Sequence, residues 1–284
     1  NIYKTANPVE VEVAKKFMRP TGNVTPVPIA FIVLLLFALL SLPEAWAAKQ
    51  RIPSLCRMNY PSDQEIEYEC RRLKSGKSPE ALFGVYWQDV LRFNRIDRRH
   101  LYAGKSLKVP KMLEDIEDFT PLPLFYPDAS ADSRFILVDL EEQFLGAYEY
   151  GHLVMSFPIA SGRKDNQTPA GLFMITAVSK NHKSSLYKIG KTNTPYPMHY
   201  ALKFFTSRGG VAYWIHGRDV PGYPASHGCI GLYDEEMQSK YYRNPRQPIL
   251  QDAKELYEWV VEPEMDDGKQ RALEDGPVIL IRGK

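Results

Sequence analysis

Residues 213 to 232 read Tyr213-Trp214-Ile215-His216-Gly217-Arg218-Asp219-Val220-Pro221-Gly222-Tyr223-Pro224-Ala225-Ser226-His227-Gly228-Cys229-Ile230-Gly231-Leu232. The apolar run from Val211 to Ile215 predicts a buried strand that delivers His216 at its end. Gly217, Gly222 and Pro224 then predict a loop. Thirteen positions after His216 stands Cys229, inside the cluster Ser226-His227-Gly228-Cys229. This is the pattern of a thiol nucleophile with a base nearby. A thiol of unperturbed pKa, about 8.5, is only a few per cent thiolate at neutral pH, so a neighbour must take its proton. Gly228 leaves room for a carbonyl to approach the backbone, where successive N–H groups can hold an oxyanion.

Two other roles for Cys229 are weaker. As a zinc ligand it could join His216 and His227, but the chain offers no clear fourth ligand and no paired-cysteine spacing, so no metal is expected. An inert buried cysteine fits poorly beside Gly228 and two histidines. Among the remaining histidines, His100, His152 and His182 read as surface or turn residues, and only His199 is close enough in order to be a groove residue. Thr168-Pro169-Ala170-Gly171 reads as a tight turn before a strand. No cofactor is expected.

Taken together, Ser161-Gly162, Thr168-Pro169-Ala170-Gly171-Leu172-Phe173, Tyr213-Trp214-Ile215-His216-Gly217, Ser226-His227-Gly228-Cys229-Ile230 and Gly276-Pro277-Val278 resemble, in order, the L,D-transpeptidase (YkuD-type) catalytic domain of bacterial cell-wall enzymes. The resemblance covers roughly residues 133 to 284. It implies Cys229 as nucleophile and His216 as general base, with the Gly217 region orienting the imidazole through its other nitrogen. It further implies Ser226, His227 and Gly228 as shapers of an oxyanion pocket, and Tyr200, Arg218 and Tyr223 as substrate-binding candidates. The implied reaction is attack on a peptidoglycan stem peptide at its third residue with release of D-Ala. A thioester forms and an amine acceptor resolves it in crosslinking or remodelling. A carboxypeptidase, an amidase and a noncatalytic wall-binding protein remain open. Two departures stand out. Gly231 occupies the place where many relatives carry Arg or Asn, for which Arg218, Arg208 or Lys203 could substitute, and Met198-His199-Tyr200 replaces Met-Pro-Tyr.

The chain has 284 residues, 44% of them hydrophobic and 25% charged, enough for one or two domains with ordinary cores. Its formal charge of +2 and the absence of a basic run interleaved with aromatics argue against a nucleic-acid partner. The partners implied are peptidoglycan stem peptides and glycan. Of three cysteines, Cys56 and Cys70 could close a fifteen-residue loop in an oxidising compartment or stay reduced, leaving Cys229 as the free thiol.

Residues 29 to 42 form an uncharged apolar stretch too short for a comfortable membrane span, followed by Ala45-Trp46-Ala47. This predicts a secretory signal over 1–47 with cleavage after Ala47, a true start at Met18, and a periplasmic or cell-envelope location. An uncleaved anchor is the rival reading, and the only membrane contact expected.

After a segment at 48–65, residues 66–110 predict a short strand, two helices and a short strand. Ser78-Pro79-Glu80 supplies an N-cap with proline at the first helical position. The ending Gly104-Lys105-Ser106-Leu107-Lys108-Val109-Pro110 resembles the LysM wall-binding module, which implies glycan binding; a plain packing unit is the alternative. Residues 111–132, dense in acid and proline, predict an extended connector that can still pack on one neighbour. From Arg134, strands are expected at Phe135–Leu140, Gln143–Tyr150, Leu153–Ile159, Leu172–Val178, Tyr200–Phe205, Val211–Ile215 and Val278–Ile281. Helices are expected at Asp234–Tyr241 and Asp252–Val261, with insertions at 233–251 and 262–274. The fold class is therefore mainly β (α+β): a β-sandwich-like catalytic domain, as the resemblance implies, with peripheral helices, preceded by a small βααβ module.

Overall fold

In a computed structural model, residues 54–74, 77–261 and 268–283 are described. The signal segment and the start at Met18 lie outside the described residues. The first strand, β1 (Tyr68–Arg72), pairs antiparallel with β2 (Ser106–Pro110), and between them run α1 (Pro79–Phe83) and α2 (Trp87–Phe93). Ser78 caps α1 by accepting the Ala81 N–H at 3.3 Å, while Pro79 occupies a position whose own N–H needs no partner. Cys56 and Cys70 form a disulfide that fastens the preceding segment to β1.

The connector that follows does not hang free. Ile116, Leu122 and Ala129 are buried, and Leu122 and Ala129 pack with Phe135, Leu137, Phe144 and Tyr148. Its apolar residues cover one face of a sheet made of β3 (Phe135–Asp139), β4 (Phe144–Glu149), β5 (His152–Pro158), β6 (Gly171–Met174) and β12 (Val278–Arg282), in the order β5-β4-β3-β12-β6. The β4–β5 hairpin turns at Tyr150 and Gly151, both at positive φ, the geometry that matches the right-handed twist of the strands it joins.

A second five-stranded sheet contains β7 (Ala177–Lys188), β8 (Pro195–Thr206), β9 (Ala212–Gly217), β10 (Ile230–Leu232) and β11 (Arg271–Ala272), in the order β10-β9-β8-β7-β11. The expected single strand Leu172–Val178 is therefore two strands in two sheets. The chain crosses between them at Ile175 and Thr176, whose N–H groups go to Pro277 O and Lys203 O respectively. The pair β7 and β8 also runs far beyond the expected Tyr200–Phe205, because the outer half of β7 is polar and exposed and carries no apolar period to read.

The two sheets face each other across one core that includes Ile136, Val138, Leu145, Leu202, Ile215 and Ile230. Helix α4 (Asp252–Val260) closes its edge with Leu256, Tyr257 and Val260, and α3 (Glu235–Tyr242) starts from the Asp234 cap, whose Oδ1 accepts the Met237 N–H at 2.8 Å. The described residues form one compact unit. A second apolar cluster unites α2 with the β region, joining Leu91, Phe93 and Ile96 to Ala160, Val220 and Tyr233. Among the described residues no helix is long and apolar enough to cross a membrane.

Candidate active site

Strand alternation sets the site. Ile215 and Ile230 are register partners on parallel strands β9 and β10, and both point into the core. Each buried aliphatic of this kind contributes roughly 1.5–3 kcal/mol, which pins the register, since a slip of one residue would turn the whole set outward. The neighbours on either side therefore face out together: Trp214 and His216 from β9, and Gly231 from β10 opposite His216, with Cys229 immediately before β10 packed against Trp214. Cys229 is half-buried and packs among Met198, Ala201 and Trp214. In β8, Tyr200 adopts φ +56, which resets the alternation; Met198 and Ala201 both reach the outer face while Tyr200 turns to the core and meets Tyr257 edge-on at 5.8 Å.

His216 is buried, and its Nδ1 lies 2.8 Å from Gly217 O. A carbonyl oxygen only accepts, so Nδ1 carries the hydrogen and Nε2 keeps its lone pair. Burial, helped by the Arg218 charge, lowers the His216 pKa to about 3, and burial raises that of Cys229 despite a backbone hydrogen bond from Trp214 and the same Arg218 charge. At neutral pH the free site is a neutral imidazole and a neutral thiol.

The loop before the cysteine is held by its own hydrogen bonds. Ser226 Oγ donates to Cys229 O at 2.5 Å and accepts the Gly228 N–H at 2.9 Å. Gly228 sits at φ +115, and a Cβ there would lie 2.5 Å from the Tyr213 ring, so neither the backbone nor the space admits a side chain. The Gly228 amide is thus committed to Ser226 and is not free for an oxyanion. His227 points outward and stacks on Tyr187 from the far end of β7, with ring centroids 4.5 Å apart.

The expected site residues do not all converge. Tyr223 packs with the second apolar cluster, Arg208 lies exposed in the β8–β9 turn, and Lys203 pairs in register with Trp214. His199 meets the fully buried Asp234 at 3.2 Å. Residues that the motif did not suggest also frame the site: His182 stacks on Trp214 at 4.4 Å, and Tyr187 reaches His227. Both lie on the polar outer part of β7, where nothing in the local pattern distinguishes them from surface. Asp97, His100 and Asp219 lie close enough to suggest a cation site, but Asp97 already accepts from His100, Val220 and Gln238, and Asp219 from Arg99.

Alkylation of Cys229 by iodoacetamide is expected to accelerate as pH rises through and beyond the ordinary thiol range, because burial lifts the thiol pKa and His216 protonates only far into acid. A rate that is already maximal below pH 7 would reveal a preformed thiolate–imidazolium pair and contradict this electrostatic account.

The L,D-transpeptidase catalytic domain (YkuD) model matches residues 133–279, and the chain belongs to that family. Among solved structures, it resembles an L,D-transpeptidase from Stackebrandtia nassauensis, at 20% identity over 54% of this chain and 57% of that one, with a TM-score of 0.36. It also resembles an L,D-transpeptidase from Xylanimonas cellulosilytica, at 20% identity over 76% and 98% with a TM-score of 0.41. A mutant of the Enterococcus faecium L,D-transpeptidase is similar at 24% identity over 53% and 50%, with a TM-score of 0.32. The chain thus spans between half and two thirds of the Stackebrandtia and Enterococcus proteins. No curated protein matches it.

Proposed function

We propose that the chain is an exported cysteine acyltransferase acting on peptidoglycan stem peptides, with Cys229 as nucleophile and His216 as general base. One observation carries this reading: Cys229, immediately before β10, packs against Trp214 on the face of β9 that also carries His216, with Nδ1–H held by Gly217 O and Nε2 left to accept a proton. Nε2 takes the thiol proton as Sγ attacks the carbonyl of the third, L-centred stem residue. The C–N bond to the terminal D-Ala then breaks, its nitrogen receives the proton from His216, and a thioester remains. A side-chain amine from another stem attacks the thioester, gives its proton to His216 and expels the thiolate, which regains a proton. The amides of His227 and Cys229 are the loop donors left to face the oxyanion.

Neither partner is charged at rest, so the proton transfer creates both charges at once. In a water-poor site the thiolate and imidazolium then stabilise each other strongly. The Cys56–Cys70 disulfide supports action in an oxidising compartment outside the cytoplasm.

Incubating stem tetrapeptides with the enzyme and with Cys229→Ala, followed by mass analysis, tests the proposal. New crosslinked dimers made only by the unaltered chain are expected. Trimmed tripeptides alone would redirect the assignment to a hydrolase, and an unchanged product profile would leave only a noncatalytic wall-binding role.

A further inference from the structure

Gly231, two residues after Cys229, lacks a side chain for a visible reason. A Cβ at that position would lie 2.0 Å from both Cγ and Cδ of Arg218. The side chain of Arg218 therefore crosses β10 at Gly231 and fills the space that a residue there would use. It does so from the adjoining chain end, since the Arg218 N–H continues the β9–β10 ladder by donating to Leu232 O at 2.9 Å.

The guanidinium so delivered has no anionic partner. Its hydrogen bonds are long and go to main-chain carbonyls: Nε to Asp219 O at 3.2 Å and a terminal nitrogen to Ala225 O at 3.4 Å. The neighbouring carboxylate of Asp219 is committed to Arg99, at 2.5 Å, and to Gln238, at 3.0 Å. Arg95, Arg98 and Arg99 each hold a carboxylate; Arg218, among the described residues, holds none. Its charge is felt by Cys229, His216 and His227 alike. A half-buried, uncompensated planar cation beside a nucleophile matches a carboxylate in both charge and fork geometry.

We infer that Arg218 is the acyl-donor recognition residue, binding the free C-terminal carboxylate of the peptide that Cys229 attacks from the place left open by Gly231. The inference rests on the assignment of Cys229 as nucleophile. It restricts donors to peptides cleaved next to a free carboxyl end. Because that carboxylate is present before and throughout the reaction, its contact strengthens ground state and transition state alike and acts on KM rather than kcat.

Charge-selective alkylation tests this without turnover. With Cys56 and Cys70 paired, Cys229 is the one free thiol, and its sulfur displaces iodide from neutral iodoacetamide or anionic iodoacetate to form the thioether. The ratio of iodoacetate to iodoacetamide rates is expected to fall about tenfold in Arg218→Gln, as for loss of a charged hydrogen bond, and to fall less in Arg218→Lys. With peptide donors, Arg218→Gln should raise KM by a similar factor for free-acid ends and leave amidated ends unchanged. Arg218→Ala combined with Gly231→Arg removes the clash and returns a guanidinium to the same space, so it is expected to restore the reagent ratio. An unchanged ratio in both Arg218→Gln and Arg218→Lys, or no restoration in the folded double variant, overturns the inference. A wild-type thiol inert to iodoacetamide overturns instead the nucleophile assignment beneath it.

Discussion

Acylation of Cys229 is expected to slow by about a hundred- to ten-thousand-fold in His216→Gln, and to vanish in Cys229→Ala. The size of the first effect follows from the resting charges. Burial holds the thiol pKa up and the imidazole pKa at about 3, so no reservoir of thiolate exists for the variant to draw on. In the intact site, removal of the proton and attack of the sulfur are coupled through Nε2. In the variant, solvent must ionise a half-buried thiol first. The deficit therefore has a pH signature: it should narrow as pH rises toward the thiol's own ionisation, where hydroxide does the work of the base. Acyl-enzyme formation followed by intact mass, from pH 6 to 10, gives both the magnitude and the trend. A His216→Gln variant that keeps the wild-type rate at pH 7 would remove His216 from the mechanism.

The same burial makes a stability prediction of opposite direction to the usual histidine. A folded-state pKa near 3, below the unfolded value of about 6.5, means the folded chain binds fewer protons than the unfolded chain between those values. His216 therefore contributes stability that is present above pH 6.5 and is lost as pH falls toward 3. Urea midpoints measured across that window should fall more steeply for the intact chain than for His216→Gln.

Much of this site was readable because it depends on local order. The alternation through Tyr213, Trp214 and Ile215 fixes which side chains share a face, and Gly228 beside Cys229 marks the tight loop. Helix starts were equally local: Ser78 and Asp234 both cap through side-chain oxygens that accept a nearby N–H. What was hidden depends on register between distant segments. Nothing near Gly231 announces that Arg218 will lie across it. The outer part of β7, with His182 and Tyr187, has the composition of a loop, and only its pairing with β8 makes it a strand over the site. Ile175 and Thr176 sit inside a run whose pattern suits one strand, and the switch between sheets is enforced by partners from β8 and from Pro277.

The least legible feature has the largest expected effect on stability. In sequence, Asp63, Arg95, Lys108 and Glu142 look like ordinary surface charges; in the fold they are buried together. Arg95 is fully enclosed, pairing with Asp63 at 3.0 Å and Glu142 at 3.0 Å, donating to Glu142 O and Ser62 Oγ, and lying 4.1 Å above the Tyr60 ring. Lys108 reaches Asp63 from β2. Three stretches distant in sequence thus meet at one guanidinium: the segment before β1, the end of α2, and the turn between β3 and β4. Replacing Arg95 by Met keeps bulk but takes the ion-pair partner from Glu142 and leaves Asp63 to Lys108 alone, so a loss of about 3–5 kcal/mol is expected, or a fall in Tm of roughly 10 °C. By contrast Arg71→Ala, which breaks an exposed pair with Glu69, should change stability by less than about 0.5 kcal/mol. Because the network and the shared apolar cluster join the βααβ unit to the β-sandwich, both should melt in one transition, followed by calorimetry and by tryptophan fluorescence from Trp87 in α2 and Trp214 in β9. A separate early transition confined to the βααβ unit in the unaltered chain, or an Arg95→Met variant as stable as its parent, would show that these charges do not bind the two parts into one folding unit.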